Sequence, residues 1–357
     1  MLKPGSTIGI LGGGQLGRML AMSAARLGYR CIGFAPEGDN VAAPVSADFF
    51  ASKWDHTAAL AAFAAQCDAV TWEFENVPLA AVDAVSGGGP AERLFPPRRA
   101  LEVAQDRLNE KRFVEELGGR TAPYLAVDTR ADIAKAAQRI GTPGILKTRR
   151  EGYDGKGQRW VEHAADAAAA FAALGGVPVI LEAPADFVRE LSIIAARGRD
   201  GATAIYPLAE NHHEGGILRR SLAPAQVSPQ LAEQAERIAA RVLQGLDYVG
   251  VVGIELFELK DGRLLVNEIA PRVHNTGHWT QDGCEADQFE QHIRAIAGWP
   301  LGPTAAIARV EMLNLLGDEA DAWAKLAHEP ETRLHLYGKR EAKPGRKMGH
   351  VNKLKPL

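Results

Sequence analysis

The residues with the clearest chemistry lie in VGIELFELKDGRLLVNEIAPR, where two apolar, strand-like runs each carry a glutamate. Asp261-Gly262 separates the runs and is typical of a two-residue type I′ hairpin turn. A turn of that length places Glu255 opposite Glu268 and Leu256 opposite Asn267. Facing carboxylates destabilise a sheet unless a cation lies between them or one is protonated. We therefore expect an oxygen-ligated Mg²⁺ whose other ligands include substrate phosphates; a surface hairpin with solvated glutamates is the alternative.

A glycine-rich loop with a lysine before it suggests anion binding in ILKTRREGYDGKGQRWV. Lys147 ends a short apolar strand, and Gly152, Gly155 and Gly157 allow backbone N–H groups to approach phosphate oxygens. Lys156 adds a further positive charge. The spacing excludes a P-loop, and a plain hairpin tip is the alternative. Because the carboxylate pair follows downstream, we predict a loop that covers phosphates.

Two more glutamates stand at the ends of predicted strands in VILEAPADFVRELSIIAAR. Glu182 ends one strand, and Glu190 opens the next. The backbone at a strand end can recognise an adenine edge, and a nearby carboxylate can accept two ribose hydroxyls. Exposed glutamates are common at strand ends, so this segment alone leaves both interpretations open.

The opening segment TIGILGGGQLGRMLAMSAARLG carries a dinucleotide-binding pattern. Gly12, Gly14 and Gly17 satisfy G-x-G-x-x-G between an apolar strand and a helix. An NAD(P)-dependent oxidoreductase is therefore one alternative. Its ribose-binding acid would have to be Glu37, which lies past Pro36 rather than at the tip of the second strand. No downstream segment supplies a hydride-transfer site.

The elements that must position these residues alternate between strand and helix over the first hundred residues. This order predicts a parallel sheet with right-handed crossovers and ligands beyond the carboxyl ends of its strands. The predicted elements are the strands Thr7–Leu11, Arg30–Phe34 and Ala69–Phe74 and the helices Gln15–Leu27 and Thr57–Gln66. A single charged helix is predicted next, over about Arg99–Leu117.

Composition is that of a globular protein of two or three domains, with 357 residues, 46% hydrophobic and 24% charged. A net charge of −3 gives no global signal for nucleic acid or a membrane surface. The three cysteines are far apart, which favours a reducing compartment, and we expect a cytoplasmic protein without a signal peptide. The basic segment Lys339–Lys355, taken alone, is typical of a solvated terminus.

Four segments together resemble the ATP-grasp superfamily and, within it, the carboxylases of the purine pathway. They are Gly12–Met19 (GGGQLGRM), Gln105–Lys111 (QDRLNEK), Gly152–Gln158 (GYDGKGQ) and Asn267–His278 (NEIAPRVHNTGH). The resemblance implies an α/β chain (α+β overall) with a Rossmann-like N-terminal sheet over 1–100. An ATP-grasp fold over 101–299 and a small β-rich C-terminal domain over 300–357 would follow. Trp72 departs from the family pattern, where we expect a smaller residue.

The same resemblance implies carboxylation of 5-aminoimidazole ribonucleotide with ATP, Mg²⁺ and bicarbonate, through carboxyphosphate. It also implies a homodimer and a functional hand-off of the product to a mutase. Another ATP-grasp ligase, such as a formate-dependent transformylase or a biotin carboxylase, is a second alternative. A non-enzymatic nucleotide-binding regulator is a third.

Site residues follow from the resemblance by position. The implied ATP-binding residues are Arg107, Lys147, Gly152, Tyr153, Asp154, Gly155, Lys156, Gly157, Gln158, Glu182, Ala183, Pro184, Ala185, Glu190, His213, Asn267 and Glu268. The implied metal ligands are Glu255 and Glu268. The implied catalytic residues are Arg272, His274, Asn275 and Lys339, and His274 is of the type that moves a proton near neutral pH. The implied substrate-binding residues are Gln15, Leu16, Glu75, Tyr153, Asp154, Arg272, His274, Lys339 and Arg346.

Overall fold

The computed structural model describes residues 1–86, 93–152 and 155–357. The strands are β1 (Thr7–Leu11), β2 (Arg30–Ala35), β3 (Asp48–Ala51), β4 (Ala69–Trp72), β5 (Tyr124–Val127), β6 (Gly144–Thr148), β7 (Gln158–Val161), β8 (Val179–Glu182), β9 (Phe187–Arg197), β10 (Thr203–Ile205), β11 (Ala209–Glu214), β12 (Ile217–Ala223), β13 (Gly250–Leu259), β14 (Leu264–Ala270), β15 (Arg309–Leu316), β16 (Thr332–Leu336) and β17 (Lys347–Lys355). Tyr153 and Asp154, two of the predicted site residues, lie outside the described residues.

Helices connect and cover these strands. They are α1 (Gln15–Arg26), α2 (Thr57–Ala64), α3 (Leu79–Ser86), α4 (Arg98–Ala104), α5 (Arg107–Glu116), α6 (Asp132–Ile140), α7 (Ala167–Ala173), α8 (Pro229–Gly245), α9 (Thr280–Gly283), α10 (Gln288–Ala297) and α11 (Trp323–Ala327). Within the described ranges, no helix is long and apolar enough to cross a membrane.

The N-terminal sheet is parallel, in the order β3-β2-β1-β4. The predicted α/β class and the predicted parallel sheet are therefore confirmed. The three predicted strands are present, because each is a short, almost wholly buried apolar run. β3 was not predicted; it lies at the edge, where its residues are only partly buried.

A second sheet has the antiparallel order β5-β8-β6-β7. It carries Lys147 near the end of β6 and Glu182 at the end of β8, and the glycine loop connects β6 to β7. α6 and α7 bury their apolar faces against this sheet. The loop thus starts and ends on paired strands.

The largest sheet runs β14-β13-β9-β11-β12-β15-β17-β16, with β10 also paired to β9. The carboxylate hairpin is β13 and β14. The last three strands join through β15, which pairs with β12. β17 buries Met348–Asn352, so the interpretation of this basic segment as a solvated terminus is wrong there.

The single helix predicted over about Arg99–Leu117 is wrong, because two helices, α4 and α5, occupy this segment. Asp106 has extended backbone angles and its carboxylate accepts a hydrogen bond from Leu108 N at 3.0 Å, which caps α5. Arg149 holds the same carboxylate at 2.7 Å. The break sets Arg107 at the first position of α5, beside the glycine loop.

Candidate active site

The carboxylate hairpin pairs Glu255 directly with Glu268, as predicted. The predicted turn is wrong, however: Leu259 pairs with Arg263 across a three-residue loop that has Gly262 at φ +75°. A bulge compensates for the extra loop residue, so Leu256 lies opposite Val266 rather than Asn267. The bulge leaves Asn267 as the unpaired residue next to the two carboxylates.

The electrostatics of this pair favour a bound cation. Burial and the charge of Glu268 raise the pKa of Glu255 to about 7, against the opposing effect of His213. A third carboxylate, Glu110, accepts a hydrogen bond from Ile269 N at 2.6 Å, and burial together with Glu268 raises its pKa to about 8. Three carboxylates thus lie around one short stretch of β14, and the third, Glu110, was not predicted.

The donor set fits Mg²⁺ that is shared with a phosphate ligand. Among the described residues, no group of three or more His, Cys, Asp or Glu side chains is arranged to hold a metal. Oxygen ligands are offered on one side only, by Glu255, Glu268 and the amide oxygen of Asn267. The amide nitrogen of Asn267 donates to Glu255 at 3.2 Å. Mg²⁺ commonly binds through one or two carboxylates plus substrate phosphates, so this donor set suits it.

One cavity of about 390 Å³ lies over the hairpin. It is lined by most of the predicted site residues: Gln15, Leu16, Glu75, Arg107, Lys147, Gly155, Lys156, Gln158, Glu190, His213, Glu255, Asn267, Glu268, Arg272, His274 and Asn275. The structure does not bring Gly152, Gly157, Glu182, Ala183, Pro184, Ala185, Lys339 or Arg346 into this lining. The central cavity, as we call it, therefore joins residues as far apart in the chain as Gln15 and Lys347.

Glu182 holds two lysines beside the cavity. Its carboxylate contacts Lys111 Nζ at 2.9 Å and Lys147 Nζ at 2.6 Å. Burial opposes ionisation of Glu182, yet Lys147 and Lys111 hold its pKa at about 2. Burial also lowers the pKa of Lys147, against the attraction of Glu182. The predicted adenine-binding glutamate thus acts in the free protein as the partner that fixes Lys147.

The first backbone amide after Glu182 is already hydrogen-bonded within the protein. Ala183 N donates to Pro123 O at 2.9 Å, so this N–H is not offered to a ligand. Across the cavity, Glu190 contacts His213 Nδ1, and the neighbouring Asn211 has a buried side-chain nitrogen without a hydrogen-bond partner. Asn211 lines the cavity on β11, a polar strand that the sequence analysis missed.

One wall of the central cavity is formed by Arg272, His274 and Asn275. The guanidinium of Arg272 binds Glu75, and this contact keeps the pKa of the half-buried Glu75 below its usual value although desolvation opposes ionisation. Trp72, the departure from the family pattern, donates its indole N–H to Pro271 O at 2.9 Å, which ties β4 to this wall. Both polar side-chain atoms of Asn275 are buried without a partner and lie at the cavity.

His274 differs from its predicted behaviour. Burial, followed by the charges of Arg272 and Lys347, holds its pKa well below the usual value. The side chain is therefore neutral near pH 7 in the free protein and offers hydrogen bonding rather than a titrating proton. Its Nε2 lies 3.9 Å from Glu255 Oε1, facing the carboxylate pair.

The basic C-terminal segment contributes a residue that the sequence analysis did not select. Lys347, the first residue of β17, lines the central cavity. Arg346 instead binds Asp39 at 2.8 Å, and burial lowers the pKa of the nearby Lys339 to about 8. Arg346 and Lys347 are adjacent, and neighbouring side chains of an extended chain point to opposite sides, so only Lys347 lies in the cavity wall.

The N-terminal glycine turn is filled by a side chain of the protein. Glu73, just after β4, accepts hydrogen bonds from Gly14 N at 2.8 Å and Gly17 N at 3.3 Å. A Cβ on Gly14 would lie 2.8 Å from Glu73 Oε1, so any larger residue there would force this carboxylate to shift. The anion at the start of α1 is thus a carboxylate of the chain itself, while Gln15 at the next position lines the cavity.

Three family models match the chain. They are the ATP-grasp domain over residues 112–289, the ribonucleotide synthetase preATP-grasp domain over 5–105, and the phosphoribosylaminoimidazole carboxylase C-terminal domain over 311–356. The N5-carboxyaminoimidazole ribonucleotide synthase of Brucella melitensis is 51% identical over 357 residues, covering 99% of this chain and 98% of that protein.

Solved structures agree with these matches. A crystal structure of N5-carboxyaminoimidazole ribonucleotide synthetase in complex with ADP has a TM-score of 0.95 at 38% identity, covering 99% of this chain and 94% of that one. The Aspergillus clavatus synthase in complex with ADP and 5-aminoimidazole ribonucleotide has a TM-score of 0.90 at 32% identity, covering 99% and 95%. The chain belongs to the N5-carboxyaminoimidazole ribonucleotide synthase family of ATP-grasp ligases.

Proposed function

We propose that this protein carboxylates 5-aminoimidazole ribonucleotide with ATP and bicarbonate, giving N5-carboxyaminoimidazole ribonucleotide, ADP and phosphate. One observation carries the proposal: a single cavity is lined at once by a facing carboxylate pair, by Arg107 and Lys147, and by Arg272, His274 and Asn275. These three groups suit a metal-bound nucleotide, its phosphates and a small anion with an amine. The relatives named above are N5-carboxyaminoimidazole ribonucleotide synthases, and one of them is solved with ADP and 5-aminoimidazole ribonucleotide.

The nucleotide end of the cavity would bind ATP. Lys147, fixed by Glu182, and Arg107, at the start of α5, would neutralise its phosphates, with the loop Gly152–Gln158 closing over them. Mg²⁺, held by Glu255 and Glu268 with Asn267 beside them, would supply neutralisation of the negative charge that develops on the transferred phosphate. Glu190 and His213 would hold the ribose, and Glu182 to Ala185 would lie beside the adenine.

The reaction begins when a bicarbonate oxygen attacks the γ-phosphorus, which breaks the bond to ADP and gives carboxyphosphate. Carboxyphosphate then breaks down to CO₂ and phosphate, and the substrate amine attacks CO₂ and loses a proton to phosphate. Arg272 presents a planar guanidinium for the bicarbonate oxygens, and the unpartnered amide of Asn275 offers both a donor and an acceptor. A closed loop would keep water from the fragile intermediate.

The ribonucleotide would lie towards the N-terminal sheet. Gln15 and Leu16 line the cavity there. Lys339 interacts with the charge of Glu73, which fills the glycine turn, and Arg346 binds Asp39; these two cations would bind the 5′-phosphate. Glu75 would act through its ion pair with Arg272. We further propose a homodimer whose product passes to a mutase.

A coupled assay tests the proposal. The purified protein is given ATP, Mg²⁺ and ¹⁴C-bicarbonate, with and without aminoimidazole ribonucleotide. Both ADP and the ¹⁴C bound to the ribonucleotide are measured at alkaline pH, because the N-carboxylate product loses CO₂ in acid. We expect ADP release to depend on the ribonucleotide and to match product formation. Stimulation by formate or biotin in its place would assign the chain to another ATP-grasp reaction.

The oxidoreductase alternative meets a physical obstacle. A dinucleotide pyrophosphate would have to occupy the amides of Gly14 and Gly17, which already bind the carboxylate of Glu73. Negative charge there would repel a second anion.

A further inference from the structure

Gln288 is a fully buried amide whose burial is not explained by its own helix. It is the first residue of α10 and is 0% exposed. α10 is capped by Asp287, which accepts hydrogen bonds from Phe289 N at 2.8 Å and Glu290 N at 2.9 Å. A buried amide needs hydrogen-bond partners, and those of Gln288 lie outside α10.

Those partners are in the loop that carries His274 and Asn275. Gln288 Oε1 accepts a hydrogen bond from His274 N at 2.8 Å, and Gln288 Nε2 donates to His274 O at 2.8 Å. The second hydrogen of Nε2 reaches His278 Nδ1 at 3.0 Å. One side chain therefore fixes the backbone of His274 from both sides and also fixes the far end of the loop.

The loop is shaped around this amide. A Cβ on Gly277 would lie 2.6 Å from Gln288 Oε1, so the loop approaches the amide closely. On the other side, a Cβ on Gly253 of β13 would lie 2.5 Å from His274 Cβ, so His274 packs against that strand. Thr276 Oγ1 lies 2.9 Å from His274 Nδ1, which orients the ring with Nε2 towards the cavity.

We propose that Gln288 is a positioning residue for the carboxylation half of the reaction, acting through His274 and Asn275. This inference rests on the proposed function. Removal of the amide would leave His274 N without a partner and His274 O with Gly277 N alone, and would loosen the loop, while Arg107 and Lys147 stay on α5 and β6. We therefore expect carboxyphosphate still to form but to be captured poorly by the amine.

Gln291 provides a matched control. It lies on the same helix, is also 0% exposed, and clamps a backbone in the same way: Nε2 donates to Gly302 O at 2.9 Å and Oε1 accepts from Gly302 N at 2.7 Å. Gln291 does not line the central cavity. Replacement of Gln291 removes buried hydrogen bonds comparable to those of Gln288 but leaves the loop of His274 in place.

The experiment compares Gln288→Met and Gln291→Met by ADP release, product formation and melting temperature. For Gln288→Met we expect kcat for product to fall by about tenfold or more, with KM for ATP within about twofold. The ratio of ADP to product should rise above its wild-type value. Gln291→Met should lower the melting temperature similarly and keep the wild-type ratio.

Gln288→Glu is measured alongside, because it keeps the acceptor for His274 N and loses both donors; it should also raise the ratio. Equal ratios in all three variants would overturn the inference, as would failure of both Gln288 variants to fold. If the wild-type protein itself does not couple ADP release to carboxylation, the proposed function fails instead.

Discussion

The N-terminal glycine turn and the carboxylate hairpin both depend on glutamates, buried in the turn and half-buried in the hairpin, but the charges of these glutamates are met differently. In the glycine turn, the two oxygens of Glu73 accept hydrogen bonds from Gly14 N and Gly17 N. In the hairpin, Glu255 faces Glu268, with the Asn267 amide as a donor at 3.2 Å. The first region is closed by its own chain, and the second offers negative charge to a ligand.

This difference shows why a glycine fingerprint alone misleads. The fingerprint fixes a tight turn and a close backbone approach, and any suitably placed anion can occupy it. Here the anion comes from Glu73, which is 59 residues from Gly14 in sequence. The ligand is decided by the group that supplies the opposite charge. Glu73 supplies it to the amides of the turn, whereas Glu255 and Glu268 present two like charges, with Arg107 Nη1 3.9 Å from Glu268.

The largest expected effect comes from breaking the hairpin pair. Glu268→Gln should lower ADP release in the full reaction by roughly 100-fold or more, because a metal ligand is lost. The same change removes a like charge beside Glu255 and Glu110, so the melting temperature in EDTA should stay equal or rise. Steady-state kinetics and thermal melts measure the two quantities.

The control for this variant is on the same hairpin. Glu258 binds Arg189 and does not line the central cavity, so Glu258→Gln should keep ADP release within about twofold. If Glu258→Gln were as inactive as Glu268→Gln, the loss would reflect the hairpin's stability rather than the pair.

A smaller effect is expected at the glycine turn. Gly14→Ala would place a Cβ 2.8 Å from Glu73 Oε1, and we expect the free energy of unfolding to fall by about 1–3 kcal/mol. In a Glu73→Ala background the same substitution should cost clearly less, because the obstructing carboxylate is gone. Urea denaturation of the four proteins gives the coupling.

Gly38→Ala is the matched control, since a Cβ there meets nothing within 4 Å and its φ is not positive. It should change stability by less than about 1 kcal/mol. An equal cost of Gly14→Ala in both backgrounds would mean that the turn is not built around Glu73.

Features of the fold and of the site could be predicted from the sequence where they depend on residues that are close together in the chain. β1, β2 and β4 were predicted because each is a local apolar run between clear turn signals. The pairing of Glu255 with Glu268 was predicted from the turn, although the actual loop is one residue longer and the bulge at Asn267 restores the register. That success therefore depended on two compensating local features.

Features that depend on distant partners were missed. β11 reads AENHHE, which has no strand-like apolar pattern, and it becomes a strand through its pairing with β9 and β12. Neither Glu73 nor Lys347 carries a local signal of its position. Each reaches the site only when strands far apart in sequence are assembled.

The smallest expected effect concerns the cations that bind the 5′-phosphate of the substrate, which cannot use the glycine turn. Because Glu73 fills the turn, the 5′-phosphate needs side-chain cations, and we propose Lys339 and Arg346. Burial lowers the pKa of Lys339 to about 8, so this lysine is charged at pH 7 and mostly neutral at pH 9. A phosphate monoester stays a dianion above about pH 7.

We therefore expect KM for aminoimidazole ribonucleotide to rise by up to about tenfold between pH 7 and pH 9, with the midpoint near 8. KM for ATP serves as the internal control, and Lys339→Met should have a raised KM that changes little over the same range. A wild-type KM that is flat across this range would place the phosphate away from Lys339. It would then be bound by a cation whose charge does not change there, and Arg346, whose guanidinium stays protonated, would be the nearest such group.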